Sequence, residues 1–170
     1  MPLTRFPDLE DKRIFLSTVP AFNLPPAPTS YSDRVSVAVL WFEQNSVPAS
    51  ELTQEFALSL IEHGGLAVVL GGSGAEAAAA IFDEAAAETT HAERDDEAVI
   101  IWTDPESELE ELLFTASEEA MPPDAFADQP WDIVAWARSG DEIVPRLRTA
   151  LGRLGAIIDD RYELGGEDDA

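Results

Sequence analysis

The residues with the most chemical promise sit in one glycine-rich stretch, Gly71-Gly72-Ser73-Gly74, between an apolar run and an alanine-rich segment. Three readings suit it. Backbone N–H groups at a helix start could cradle an anion such as phosphate, although the full GxGxxG spacing and a Walker lysine are missing. Gly71-Gly72-Ser73-Gly74-Ala75 also approaches the G-x-S-x-G elbow that exposes a nucleophilic serine between strand and helix. That chemistry needs a histidine further along, and the one that follows is His91, in the first loop past the same helix. The third reading is a tight turn closed by a capping box, with Ser73 and Glu76 in S-x-x-E spacing. Glu76 would then occupy the amides an anion needs.

A second constellation lies at the ends of two other apolar runs. Trp41 and Glu43 end one; Trp102, Thr103 and Asp104 end another. In open parallel sheets, ligands bind beyond the carboxyl ends of strands, where the strand order reverses. If the four runs named below take the order 2-1-3-4, these two ends flank that point. Two indoles and two carboxylates would then make an apolar cleft with a polar handle, or a weak divalent-cation site. The plainer alternative is that the tryptophans finish the core, Asp104 caps a helix and Glu43 is solvated. His63 and His91 have no second ligand at metal spacing, which argues against zinc. Cysteine is absent, so disulfides, thiolate metal sites and a cysteine nucleophile are excluded together. No cofactor is expected.

Charge is the unusual feature: 34 acidic against 10 basic residues, a formal net of −24. Such a chain repels nucleic acid and anionic lipid and attracts a basic protein partner. Fourteen of the acids fall between Asp83 and Glu119, against Arg94 alone. The candidates for partner contact among them are Glu93, Asp95, Asp96, Glu97, Glu106, Glu108, Glu110 and Glu111. Arg138, Arg146, Arg148 and Arg153 give the opposite bias to a later helix, which also suits self-association. Solubility or adaptation to salt would explain the acidity without any partner.

The elements that must position these residues follow one grammar. Four apolar runs, at Val35–Phe42, Leu66–Leu70, Ala98–Thr103 and Trp131–Ala137, are each followed by a helical pattern. The helices are expected over about 48–63, 75–88, 105–120 and 142–154. Alternation of this kind implies a parallel sheet with helices on both faces. The expected fold is therefore α/β: a three-layer αβα domain over residues 34–158 with a four-stranded, mostly parallel sheet of Rossmann-like or flavodoxin-like type. Residues 1–33, rich in proline, read as an extended arm, with packing on its own domain favoured over binding another chain. Residues 156–158 read as a short edge strand and 159–170 as an acidic disordered tail. Neither a signal peptide nor a membrane span is legible, which points to the cytoplasm.

Ile81-Phe82-Asp83-Glu84 and the run Ile100-Ile101-Trp102-Thr103-Asp104-Pro105, continuing to Leu109-Glu110-Glu111-Leu112-Leu113-Phe114, carry a resemblance. With Pro122-Pro123-Asp124 leading to the Trp131 strand, residues 35–140 resemble an uncharacterised α/β domain family of bacterial proteins. In that family a histidine often follows the tryptophan of the third strand, where this chain has Thr103. The resemblance implies the fold and brings no activity with it.

The expected function is a non-enzymatic acidic interaction protein, of inhibitor, immunity or accessory-subunit type, that docks on a basic protein. The alternative is a small-ligand or metal-dependent enzyme at the strand ends.

Overall fold

The structure, a computed structural model, describes residues 3–43 and 48–168. Its sheet has six strands, not four, in the order β1-β2-β6-β3-β4-β5. The two additional strands come from the segment expected to be an extended arm. β1 (Leu3–Leu9) and β2 (Lys12–Val19) form an antiparallel hairpin, with Glu10 at φ +56 in its turn. Prolines were tolerated because of where they fall. Pro7 lies where the pairing slips between Phe6 and Leu9, on the sheet edge, and Pro20 follows the last residue of β2. Between them Ile14, Phe15, Leu16 and Val19 are buried, enough to dock the hairpin on the rest of the sheet.

The other strands keep the expected places. β3 (Ser36–Trp41) leads to helix α1 (Gln54–Glu62), and β4 (Gly65–Gly71) to α2 (Ala75–Ala87). β5 (Ile100–Asp104) leads to α3 (Leu109–Phe114), whose last turn widens into a π-helical turn at Thr115–Glu119. β6 (Asp132–Arg138) is followed by α4 (Ile143–Gly152) and α5 (Leu154–Asp168). All neighbours from β2 to β5 pair in parallel. A strand buried on both faces reads as a continuous apolar run, which is why β3, β4 and β6 were legible.

Alternate side chains of the central strands feed two separate cores. Ala38, Leu40, Phe42, Val68, Leu70, Val134 and Trp136 pack under α1 and α2, against Phe56, Leu60 and Phe82. Val37, Val39, Ala67, Val69, Ile133 and Ala135 pack under α3, α4 and α5, against Leu112, Leu147 and Ile157. The layers are thus helix, sheet, helix.

The end of the chain departs from expectation. Ala156 to Ile158 is helix, not an edge strand, and the acidic tail continues as α5 through Asp168; residues 169 and 170 lie outside the described residues. Leu154, Ile157 and Ile158 stand at i, i+3 and i+4 and are all buried, and that stripe holds α5 against the sheet. Arg161 and Tyr162 extend the contact to Glu111 and Phe114 of α3. Among the described residues, no helix is long and apolar enough to cross a membrane.

Candidate functional site

The glycine turn after β4 packs against the chain leaving β3. Gly72 has φ +84, and a Cβ there would collide with the Phe42 carbonyl oxygen. Gly74 N–H donates to that same oxygen at 2.9 Å, and Ala75 N–H donates to Gly72 O at 3.1 Å. Two amides that a phosphate cradle would need are therefore already used. The expected capping box is not formed among the described residues: the cap residue is Gly74, not Ser73, and it provides no side-chain cap. Gly71 serves a different end. A Cβ on it would lie 2.8 Å from Trp41 Cε3 and 2.6 Å from Leu112 Cδ2, so its bareness lets the indole lie across β4.

Ser73 has no histidine within reach. His91 lies past the far end of α2, whose thirteen residues separate the two by about 20 Å. There it sits edge-on to Phe126, in a short 3-10 turn, Thr90–Glu93. His63 stacks on Tyr31 with ring centroids 4.0 Å apart and bonds Ser59 O through Nδ1. The Nδ1 atom of His91 is buried with no hydrogen-bond partner among the described residues.

The two tryptophan-bearing strand ends are not neighbours. β4 lies between β3 and β5, with Trp41 opposite Gly71 and Gly71 opposite Asp104. The order in terms of the four expected runs is 4-1-2-3, because the connection from β5 returns β6 to the other side of β3. Trp41 and Trp102 still share a face, that of α3 and α4, but a whole strand separates their backbones. The indole nitrogens of both are buried without a hydrogen-bond partner. Asp104 is engaged locally: it accepts the Ser107 N–H at 3.1 Å and also the Ser107 hydroxyl. That makes it the start of a turn rather than a helix cap, since α3 begins only at Leu109. Thr103 is exposed. Glu43 stands on the opposite side of Trp41, near the start of α4. Among the described residues, no group of three or more histidines or carboxylates could hold a metal ion.

The point where connections diverge is between β3 and β6, and a salt-bridge hub closes it. Arg138, at the end of β6, bonds Asp141 at 3.1 and 2.9 Å and also reaches Glu51. Asp141 therefore ties a strand to a helix start instead of capping α4. The Asp141 and Glu51 carboxylates raise the Arg138 pKa, and this cation stays charged as part of the frame.

The open space lies beside that hub. A cavity of about 720 Å³ runs between the start of α3 and the outer face of α4. A smaller one of about 260 Å³ adjoins it near Glu43 and Asp141, and Trp41 and Arg146 line both. Of the expected site residues, the larger cavity includes Trp41, Glu108 and Glu110, and the smaller adds Glu43. Arg146 and Arg153, which line the larger cavity, were expected only as part of a basic helix. Their signal was the i, i+7 spacing, which puts them on one stripe of α4.

The eight acidic candidates fall into two groups at opposite ends of β5. Glu93, Asp95, Asp96 and Glu97 lie in turns before it; Glu106, Glu108, Glu110 and Glu111 follow it. Arg94 pairs with Asp96 at 3.4 Å and Glu97 at 3.8 Å, and Arg161 pairs with Glu111 at 3.5 Å. Glu93, Asp95, Glu106, Glu108 and Glu110 are exposed and make no ion pair among the described residues. Comparison of the chain with family models, curated proteins and solved structures gives no match.

Proposed function

We propose that this chain is a non-enzymatic interaction protein of the cytoplasm that docks on a basic protein through the β5 edge. The observation that carries the reading is the position of β5. Among the described residues it is the last strand of the sheet, with β4 on one side and no strand on the other, and carboxylates without an ion pair stand at both of its ends. An open edge recognises an extended segment through main-chain hydrogen bonds, while its surroundings select the side chains. Here Ile100 is 36% exposed and the flanking charge selects lysine and arginine. The same carboxylates keep two copies from pairing edge to edge, since like charges would meet. Self-association through this edge is therefore disfavoured, as is contact with nucleic acid or anionic lipid. An enzymatic reading has less support, because Ser73 and His91 are far apart and Glu43 and Asp104 do not converge.

Extended peptides with lysine at alternate positions test this. Titrated into the labelled protein, they should shift the amide resonances of Ile100–Asp104 and bind at least about tenfold more weakly at high salt than at low salt. Reversal of Asp95, Asp96 and Glu106 to lysine should abolish binding and leave the fold intact. Shifts confined to other strands, or affinity indifferent to salt, would refute the reading.

A further inference from the structure

α3 and α4 present opposite charges to each other across the 720 Å³ cleft. On α4 and its C-cap, Arg146, Thr149, Ala150 and Arg153 fall at i, i+3, i+4 and i+7 and all line it. Glu108 and Glu110 line the other wall, and Trp41 lines it between them. These arginines and glutamates make no ion pair with each other among the described residues. That absence needs a reason in a chain where 34 acids surround 10 bases. The other basic side chains, apart from Arg148 of the same helix, all have a carboxylate, a carbonyl or a ring as partner. A few residues away Arg161 does reach α3, at Glu111. A smaller cavity of about 270 Å³ continues around that bridge, lined by Glu110, Arg153 and Arg161; the cleft itself keeps charge on both walls.

We propose that the cleft binds a short peptide with free termini, as a zwitterion. Its carboxylate meets Arg146 and Arg153, its ammonium meets Glu108 and Glu110, and an apolar side chain lies on Trp41. A guanidinium offers a carboxylate two parallel N–H donors, the geometry that gives such pairs their specificity. A simple anion would be repelled by the glutamates and a simple cation by the arginines, so the two walls select for both charges at once. The cavity volume lies within the range of small-ligand sites. Two to four extended residues span roughly 7–14 Å, comparable to the spacing of packed helices. Trp41 is placed for the contact, because its six-membered ring lies over the bare backbone of Gly71.

The full chain, labelled with nitrogen-15, should be titrated with a free tripeptide of alanine and phenylalanine. The indole N–H signal of Trp41, assigned by its loss in Trp41→Phe, should move and saturate. N-acetylation or C-amidation of the peptide should each weaken binding by about tenfold or more. The exposed double variant Arg146→Gln with Arg153→Gln should lose binding to the same degree while keeping the wild-type unfolding midpoint. Absence of saturable binding, equal binding of capped peptides, or an unaffected double variant would each overturn the proposal. Docking at β5 is read from different resonances, so the two readings fail separately.

Discussion

The start of β6 and the exposed face of α4 handle charge in opposite ways. At its start, Asp132 has a fully buried side chain, held by Arg13 through two hydrogen bonds at 2.9 and 2.7 Å. Arg34 lies 3.6 Å away, and Asp33 completes the group from outside through Arg13. Every charge there has a partner. Beyond its other end, past the Arg138 hub, the arginines of α4 line open space without one. Burial explains the first arrangement: a carboxylate removed from water must be compensated or it destabilises the fold. Nothing in the fold requires the second. The paired start of β6 therefore reads as architecture, and the face of α4 as the place where something else completes the charge.

The strongest way to test the comparison is to break the paired end. Asp132→Ala would leave Arg13 and Arg34 facing each other beside the core. Removing one partner of a buried pair costs about 3–5 kcal/mol, and the remaining exposure of Arg13 and its contact with Asp33 place this case near about 3. Urea unfolding should show a lower midpoint with an unchanged slope. A loss below about 0.5 kcal/mol, the range of ordinary surface substitutions, would mean that the pair is not structural.

Gly72→Ala sharpens the same contrast by testing whether the glycine turn is architecture or site. Its φ of +84 and the nearby Phe42 oxygen forbid a Cβ without movement. The cost should be about 2 kcal/mol from strain and displacement. If the turn were an anion cradle instead, phosphate would raise the melting temperature of the wild type, and it should not.

These two sites also mark what could be read in the chain and what could not. The strand–turn–helix grammar of Gly65–Glu76 was legible because a run buried on both faces, a glycine turn and an alanine helix each have a strong local signature. The role of Gly71 was not, since it depends on where Trp41 comes to lie from another strand. The β1–β2 hairpin was hidden by prolines that fall at an edge, a slip and a strand end, harmless places that only the pairing reveals. α5 was hidden by Gly155 and by an acidic composition, although Leu154, Ile157 and Ile158 already had helical spacing. Strand order was beyond reach. The connection from Asp104 to Asp132 is long enough to return β6 to either side of β3, and local pattern does not choose between them. Trp41 therefore does end its strand, whereas Trp102 falls in the middle of β5, and the two strands are not neighbours. Arg146 and Arg153 were seen as basic, but what faced them was set by the packing of α3.

A smaller effect concerns the outer member of the paired group. The hydrogen bond from Arg13 holds the Asp33 carboxyl below its usual range, with the Arg13 charge adding to it. A depressed folded value means that this contribution is complete above the ordinary carboxylate pKa. It is lost as the pH falls through the folded value. Comparison of wild type with Asp33→Asn should show two stability curves that are separated at neutral pH and merge in acid. Because Asp33 is largely exposed, the separation should shrink with added salt. Curves that stay parallel into acid would show that the Asp33 charge does not contribute.

The smallest expected change in stability is the most informative one. Arg146→Gln with Arg153→Gln removes two arginines that pair with nothing among the described residues. If the contrast between the start of β6 and the face of α4 is correct, the unfolding free energy should move by no more than about 0.5 kcal/mol. A loss of several times that would mean these arginines do reach Glu108 or Glu110 in solution. The cleft would then be a salt-bridged seam like the one Arg161 makes with Glu111. Unchanged stability with lost peptide binding would separate the start of β6 from the face of α4 by purpose as well as by geometry. The fold would need one set of charges, and the other would be held ready for a ligand.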